Sequence, residues 1–347
     1  MRTTTLHFSL LALVSAWAPQ QSFSAEPTEL PAPTVLDKIV VSGEQPGPGL
    51  WKVTKGTNVL WVLGEQSPMP QKMTWRAKGI EKIVSESQEI IGEPGVGIRA
   101  KNVGLFSMIS MIPSVLSVKT NPDGRKLKDM VPADVYARWI SLRDKYIDDT
   151  NTNNEEPEVE NWRPIFAAFK LYDEALKKNK YTQASLVWPV IRAAAKKHNV
   201  KIRSAQYEVD MKDPRRVLNE FRASNLADQD CFAKTLERIE TDLENMRVRS
   251  NAWAVGDIQA VLAAPATDQR AACDSAFRSA QFMNAGEFKD LNKEAEKKWM
   301  DTALGALEKN AVTLAVVPMR FFHASGGYLE KIKARGYAVT APAGALE

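Results

Sequence analysis

The sequence predicts an α/β fold, and three observations support this prediction. Near the start of the chain, strand-like runs are followed by a helical stretch and another strand. The same order of strand, helix and strand returns over residues 311–341. Between about 127 and 310, apolar residues recur mainly at helical spacings. Strands that alternate with helices are typical of an α/β domain, whose functional residues lie where strands end.

The first part of the predicted sheet begins at Leu50. Two strand-like runs are separated by a hairpin signal at residues 55–58, and they read LWKVTKG and NVLWVLGE. A helix is predicted over residues 73–87, followed by a buried strand over 88–95 that ends in a turn. A separate apolar run at 38–43, KIVVSG, is compatible with a further short strand.

The middle of the chain is predicted to be mainly helical. Apolar residues at spacings of three and four favour helices over residues 126–147, 161–178 and 185–199. A strand is predicted over 200–210. Asp213 then indicates the start of another helix, because it is a capping residue that precedes a proline.

The clearest helical pattern is one apolar stripe later in this region. Its members are four, three, four and three residues apart, and they are Phe232, Leu236, Ile239, Leu243 and Met246. The stripe predicts one long helix over about 226–262 that lies on the domain's own core. The alternative is that it pairs with another chain in a helix-mediated assembly. A charged helical stretch at 285–309 precedes the final α/β unit.

The first 25 residues predict an export signal. Arg2 supplies the positive start, and the apolar run at 6–18 is shorter than the ~20 residues of a bilayer-spanning helix. We expect cleavage near Ser24 or Ala25. Residues 26–48 are rich in proline and glycine and predict a linker. The mature protein is therefore expected in the periplasm or outside the cell, with no membrane segment.

Composition argues against a nucleic-acid partner. The chain has 46 basic and 42 acidic residues, a net charge of +4, and its charges alternate in sign along the predicted helices. Removal of the signal takes away one arginine and leaves a net charge of about +3. A basic patch large enough to attract a polyanion is not predicted.

Two cysteines, Cys231 and Cys273, are 42 residues apart. In an exported protein such a pair predicts a disulfide, which would stabilise the fold by ~3 to 4 kcal/mol in the chain-entropy model. Two buried free thiols are the alternative. A metal or nucleophilic role is the least supported, because the mature chain offers only His198 and His323 as partners.

Motifs of several enzyme classes are missing from the sequence. It contains no G-x-S-x-G of a serine hydrolase, no dinucleotide or Walker fingerprint, and no H-E-x-x-H. We therefore expect no nucleotide cofactor and no zinc site of that type.

Two glutamates, Glu65 and Glu93, follow directly on predicted strands. Neighbouring parallel strands would bring them to the same edge of the sheet, where they could bind a hard cation or act in acid–base chemistry. The alternative is that both are solvated turn residues or helix caps. His323 precedes a run of small residues, and we expect it in a surface loop, with a role as ligand or base as the alternative.

Four segments together resemble the TraB/GumN family, whose eukaryotic relatives include the Tiki proteins. They are LWKVTKGTNVLWVLG, the strand end EPG, RSNAWA, and VTLAVVP followed by GGYLEKIKARGYAV. The resemblance implies one sheet-centred domain over 49–347, built from two similar α/β halves with a large helical insertion at about 127–310. In the Tiki branch it implies a metal-dependent peptidase.

The histidine ligands of that family are replaced here. Its site uses two G-x-x-H motifs. In the first, the glycine is Gly64 and the histidine position holds Ser67. In the second, Pro318 stands on the glycine and Phe321 on the histidine, while His323 comes two residues later. A serine hydroxyl is a poor ligand for a transition metal and phenylalanine is none, so an activated metal-bound water is not expected.

The other two site positions of the family are better preserved. The glutamate after the second strand is Glu93. The arginine of the R-N-x-x-[MW]-A helix is Arg249, with Trp253 in register, although Ser250 replaces the asparagine. These matches predict a family-like fold with a decayed or remodelled metallohydrolase site.

Two functional hypotheses follow for this site. In the first, the protein is not catalytic and binds a peptide, a protein or a small ligand, either in a polar pocket formed by Glu65, Gln66, Ser67, Glu93 and Arg249 or through the helical insertion. In the second, it is a metal-dependent hydrolase or peptidase that holds Mn²⁺ or Ca²⁺ with Glu65, Glu93 and His323.

Overall fold

A computed structural model describes residues 47–100, 117–148, 158–264, 267–284, 286–323 and 326–342 of the chain. The strands are β1 Leu50–Lys55, β2 Asn58–Glu65, β3 Met69–Pro70, β4 Glu89–Ile91, β5 Val96–Ala100, β6 Tyr181–Thr182, β7 Lys201–Arg203, β8 Tyr207–Met211, β9 Val312–Pro318 and β10 Ala338–Thr340. The predicted export signal, the linker up to residue 46 and the candidate strand at 38–43 lie outside the described residues.

The α-helices of the described residues fall mainly between β5 and β9. They are α1 Lys78–Glu86, α2 Ala133–Tyr146, α3 Pro164–Lys178, α4 Trp188–His198, α5 Pro214–Ala223, α6 Gln229–Thr241, α7 Leu243–Ala254, α8 Ile258–Ala263, α9 Gln269–Arg278, α10 Leu291–Leu307, α11 Arg320–His323 and α12 Tyr328–Ala334. None of these helices is both long and apolar enough to span a bilayer.

A six-stranded sheet with the order β10-β1-β2-β9-β4-β7 is the centre of the fold. The predicted hairpin joins β1 and β2, with Lys55 paired to Asn58. β9 lies between β2 and β4 and is parallel to both. Its residues are buried from Thr313 to Pro318, as expected for a central parallel strand covered on both faces. The predicted α/β fold is confirmed.

The carboxyl ends of β2, β9 and β4 meet at one edge of this sheet. The register places Glu65 beside Pro318, and Ile91 beside Ala315. Glu65 and Glu93 were expected to follow neighbouring strands. This expectation is wrong, because β9 lies between β2 and β4. Functional groups of parallel sheets collect at such an edge.

The helical insertion has a core of its own. Helices α2, α3 and α6 supply most of it, and the fully buried Trp139 and Phe232 pack with ring centroids 5.4 Å apart. The predicted stripe faces this core: four of its five members are buried, and Leu243 packs against them. The prediction that the stripe covers the domain's own core is confirmed. Cys231 and Cys273 form the predicted disulfide between α6 and α9.

The prediction of one long helix over 226–262 is wrong, because the segment forms α6, α7 and α8. The first break is at Asp242, whose buried carboxylate forms ion pairs with Arg238 and Arg249 on the two flanking helices. The second break is at Gly256, which has a φ of +77° that favours glycine. Asp257 then caps α8 through the backbone N–H of Ala260.

Other boundaries also differ from the sequence prediction. The helix predicted from residue 73 begins at Lys78. The strand predicted over 200–210 is two strands, of which β7 joins the central sheet and β8 pairs with β5. His323, expected in a loop, is the last residue of the short helix α11. Asp213 caps α5 as predicted, by accepting from the Arg216 N–H.

Candidate functional site

The end of β2 is fixed by close packing around Gly64. A Cβ atom at this position would overlap the Met319 sulfur and would lie 2.9 Å from a ring carbon of Phe322. The Gly64 carbonyl accepts a 2.6 Å hydrogen bond from the indole N–H of Trp253. The next carbonyl, that of Glu65, accepts from the backbone N–H of Met319 at 2.8 Å. These contacts fix the backbone from which the Glu65 side chain projects.

The end of β4 is built in a similar way. The Gly92 carbonyl accepts a 3.0 Å hydrogen bond from the indole N–H of Trp299, and the Gly92 N–H donates to the Arg203 carbonyl at 2.9 Å. Glu93 follows at once. At the end of each strand, a glycine whose carbonyl is held by a tryptophan thus precedes a glutamate.

The two glutamate side chains meet in front of the sheet. A hydrogen bond joins the carboxyl groups of Glu65 and Glu93. The Ser185 hydroxyl donates to Glu65 Oε1, and the Trp188 indole N–H donates to Glu93 Oε1 at 2.6 Å. Glu65 is only 8% exposed, whereas Glu93 is half-buried and reaches solvent. We call Glu65 and Glu93 the carboxyl pair.

Burial raises the pKa of the Glu65 carboxyl to about 8, and the hydrogen bond with Glu93 acts in the same direction. The Ser185 hydrogen bond and the positive charge of Arg320 oppose this rise in pKa. Two carboxylates in contact repel each other, so such a pair holds one proton. At neutral pH the Glu65 carboxyl therefore keeps its proton.

Ser185 connects the carboxyl pair to the start of helix α4. Its oxygen accepts from the backbone N–H groups of Val187 at 3.2 Å and Trp188 at 2.9 Å, while its own hydrogen goes to Glu65. These N–H groups would otherwise lack partners at the helix start. Sequence reasoning missed Ser185 and Trp188, although a serine shortly before Trp188-Pro189 is a helix-start signal.

Comparison with known proteins gives the family of the chain. The family model described as "TraB/PrgY/gumN family" matches residues 49–341, which is most of the chain. The chain belongs to the TraB/PrgY/gumN family. Neither a search of curated proteins nor one of solved structures found a match.

In this TraB/PrgY/gumN protein, the residues that the resemblance assigns to one site make the following contacts. Ser67 is exposed beyond β2, and its hydroxyl donates to the Gln183 carbonyl at 3.5 Å. Gln66 is half-buried, and its side chain donates to the Ser67 carbonyl at 3.4 Å. Arg249 is 6% exposed and forms a 2.7 Å ion pair with Asp242. Arg249 lies one turn before Trp253, the residue that holds Gly64.

The second histidine position, Phe321, belongs to an aromatic stack. Its ring lies 4.8 Å from that of Tyr328, which lies 5.1 Å from that of Trp299. The guanidinium of Arg320 lies 4.6 Å from the Phe321 centroid and acts electrostatically on both members of the carboxyl pair. Sequence reasoning missed Arg320, because nothing in its local pattern marks it. The side chain of His323 lies outside the described residues.

The carboxyl pair is the group that could hold a metal ion in this family member. Among the described residues there is no cluster of three or more His, Cys, Asp or Glu side chains. Ca²⁺ takes about six to eight oxygen ligands, so Glu65 and Glu93 would supply only part of a shell. Ser67 and Phe321 do not supply the imidazoles that a borderline metal prefers.

Proposed function

We propose that this is an exported TraB/PrgY/gumN protein whose inherited metallohydrolase site has been remodelled into a binding site for a peptide, a protein or a small ligand. The observation that carries the proposal is the contact between Glu65 and Glu93. Both carboxyl groups lie at the strand-end edge, where this class of fold places its functional groups. They are held by Ser185 and Trp188 in an arrangement that needs no metal ion to offset their repulsion.

Export is supported by two independent features. The first 25 residues have the positive start and the short apolar run of a secretory signal. The disulfide between Cys231 and Cys273 is a bond that persists in oxidising compartments, such as the periplasm or the extracellular space. N-terminal sequencing of the protein recovered from those compartments tests this part, and a retained Met1 would contradict it.

Accessibility supports binding at the carboxyl pair. Glu93, Trp188 and Gln66 are half-buried, and Ser67 and Arg320 are exposed, so a ligand can reach polar groups on several sides of the pair. Polar groups placed beside aromatic surface are typical of ligand sites.

A metal-dependent hydrolase or peptidase is the second candidate. The observation that favours it is the same contact, because two carboxyl groups that touch can chelate one Mn²⁺ or Ca²⁺ ion once their shared proton is lost. In that case Glu65 and Glu93 would hold the ion, and the ion would supply a bound water of lowered pKa.

The experiment that tests the proposal compares the mature protein with Glu93→Gln. Each is immobilised and incubated with a random hexapeptide library, and mass spectrometry identifies the retained and the cleaved peptides. We expect retention without cleavage, unchanged by Mn²⁺ or Ca²⁺, and at least fivefold lower retention by Glu93→Gln. A matched control is Glu220→Gln, which removes an exposed glutamate of α5.

Cleavage that requires Mn²⁺ or Ca²⁺ and is lost in Glu93→Gln would replace the proposal by the second candidate. Equal retention by wild type, Glu93→Gln and Glu220→Gln would contradict a binding role for the carboxyl pair. Folding of each variant is checked by its cooperative unfolding transition.

A further inference from the structure

The guanidinium of Arg320 is a positive group without a protein partner among the described residues. It lies two residues after the end of β9, is exposed, and has no hydrogen bond or ion pair with the described residues. Its guanidinium carbon lies 4.6 Å from the centroid of the Phe321 ring. A guanidinium has five N–H donors in a fixed plane, and stacking on a ring leaves the edges of that plane free.

An aromatic stack supports the guanidinium of Arg320. Phe321 stacks on Tyr328 at 4.8 Å with an interplanar angle of 24°, and Tyr328 packs on Trp299 at 5.1 Å. Trp299 is fully buried and donates to the Gly92 carbonyl. The stack therefore ties the guanidinium to the residue that precedes Glu93. A flexible arginine held in this way loses less freedom when it binds a ligand.

Glu93, an acidic neighbour of Arg320, is already engaged with other residues. Glu93 accepts from Trp188 and is hydrogen-bonded to Glu65, and it does not close to an ion pair with Arg320. Two charges of helix α9, Arg270 and Asp274, also act on Arg320. The N–H groups of the Arg320 guanidinium are thus not bonded to the carboxyl pair and are available to a ligand.

We propose that Arg320, held on the Phe321 ring, binds a carboxylate group of the ligand that the carboxyl pair receives. This inference rests on the proposed function and names the chemistry of its ligand. A planar guanidinium matches a carboxylate through two parallel hydrogen bonds. The acidic charges of Glu93 and Asp274 penalise a dianion such as phosphate more than a single carboxylate, and Arg270 adds a second positive charge on the α9 side.

Phe321 stands where the resemblance places a histidine, and in this arrangement its ring has a role of its own. An imidazole at this position would be a metal ligand in the resembling family, whereas the phenyl ring supports a fixed guanidinium. The positive charge that receives an anionic group then belongs to the protein itself.

The test is titration calorimetry of the mature protein with acetyl-Ala-Ala-Phe in two forms, the free acid and the C-terminal amide. We expect the acid to bind at least tenfold more tightly than the amide. Arg320→Gln should remove this difference, and Arg320→Lys should restore only part of it because lysine lacks the planar fork. Arg125→Gln removes an exposed arginine and should leave the difference unchanged. Phe321→Leu should reduce it without a change of charge.

Two further arms identify the source of the carboxylate. Acetyl-Ala-Asp-Phe-amide carries the carboxylate on a side chain. Tight binding of this peptide would show that Arg320 accepts a carboxylate at any position of the ligand, whereas weak binding would show that it requires the carboxylate of a chain terminus. Inorganic phosphate should not displace the acid, and displacement would overturn the choice of a monoanion. Three results would overturn the inference: equal binding of the acid and the amide, no binding of either peptide at a concentration of about 10 mM, or an unchanged difference between them in Arg320→Gln.

These failures are distinguishable from failure of the proposed function. If the library peptides are retained through Glu93 but the acid and amide forms do not differ, the binding role of the carboxyl pair stands and only the role of Arg320 falls. If Glu93→Gln leaves retention unchanged, the proposed function fails, whatever the outcome for Arg320.

Discussion

Glu65 and Glu93 are joined by a hydrogen bond between their carboxyl groups, although a third strand separates the strands they follow. β9 lies between β2 and β4, and the two side chains meet beyond its end. The contact has a direct thermodynamic consequence. Because a buried carboxyl beside another carboxyl disfavours its charged form, the folded state holds a proton that the unfolded chain releases at lower pH.

The first prediction concerns stability as a function of pH. The pKa of Glu65 is raised from 4.5 to about 8 in the folded protein, so its contribution to stability is complete below about pH 4.5 and is lost as the pH rises through 8. The loss is a few kcal/mol, since one pKa unit corresponds to about 1.4 kcal/mol. Urea unfolding at pH 6 and pH 9 measures it.

The control for this prediction is Glu65→Gln, which keeps a neutral side chain of similar shape at every pH. Its stability should fall less than that of the wild type between pH 6 and pH 9. A wild type and a variant with parallel pH profiles would show that Glu65 does not carry the raised pKa.

The second prediction concerns the packing at the end of β2. Gly64→Ala should destabilise the protein by about 2 to 3 kcal/mol, because the new methyl group overlaps Met319 and crowds Phe322. Gly79→Ala is the matched control: it lies in α1 with no atom within 4 Å of the new Cβ, and should gain about 0.5 to 1 kcal/mol. Denaturant midpoints give both values, and equal effects would contradict the packing argument.

The third prediction concerns the core of the helical insertion. Glu160 is 1% exposed and accepts from the Trp139 indole at 2.8 Å, the Tyr136 hydroxyl at 3.0 Å and the Arg143 guanidinium at 2.7 Å. Glu160→Gln should cost about 1.5 to 3 kcal/mol, because the Arg143 charge loses its buried partner and keeps only the exposed carboxylate of Asp144. Glu158→Gln, a change in the same turn at an exposed site, should cost less than about 1 kcal/mol. Chemical denaturation measures both values, and equal losses for Glu160→Gln and Glu158→Gln would contradict this prediction.

The fourth prediction concerns the disulfide. Replacing both Cys231 and Cys273 by alanine should lower the free energy of unfolding by about 4 kcal/mol, since the bond closes a 42-residue separation between α6 and α9. Thiol titration of the denatured wild type should find no free thiol. Two reactive thiols, or a double variant as stable as the wild type, would contradict this expectation.

The sequence predicted the central sheet well, because its signals are local. The hairpin at residues 55–58, the buried run of β9 and the strand ends at Glu65 and Glu93 all follow from short apolar runs and their turns. The disulfide was also predictable, since a chain with two cysteines has one possible intramolecular pairing.

The long helix over 226–262 was mispredicted because a continuous apolar stripe hides breaks that depend on single residues. The break at Asp242 coincides with ion pairs from its carboxylate to Arg238 and Arg249, and apolar periodicity does not report such side-chain pairs. The break at Gly256-Asp257 carried a readable signal, a glycine followed by a capping residue.

The members of the candidate site were only partly predictable. Glu65 and Glu93 are marked by their place after strands, whereas Ser185 and Trp188 come from the start of a helix about 120 residues further along the chain than Glu65. Arg320 lies on the ring of its neighbour Phe321, which stacks on Tyr328 of the next helix. Such contacts are decided by the packing of distant segments, and no local pattern encodes them.

The most direct test of the carboxyl pair is a pH titration of the glutamate carboxyl carbons by ¹³C NMR, with Glu65→Gln and Glu93→Gln used for assignment. The account predicts one carboxyl, assigned to Glu65, that titrates near pH 8, and predicts that Glu93→Gln lowers this pKa, because the neighbouring carboxylate is gone. If every glutamate carboxyl titrates below pH 5.5, the two groups do not share a proton and the account of the carboxyl pair is wrong.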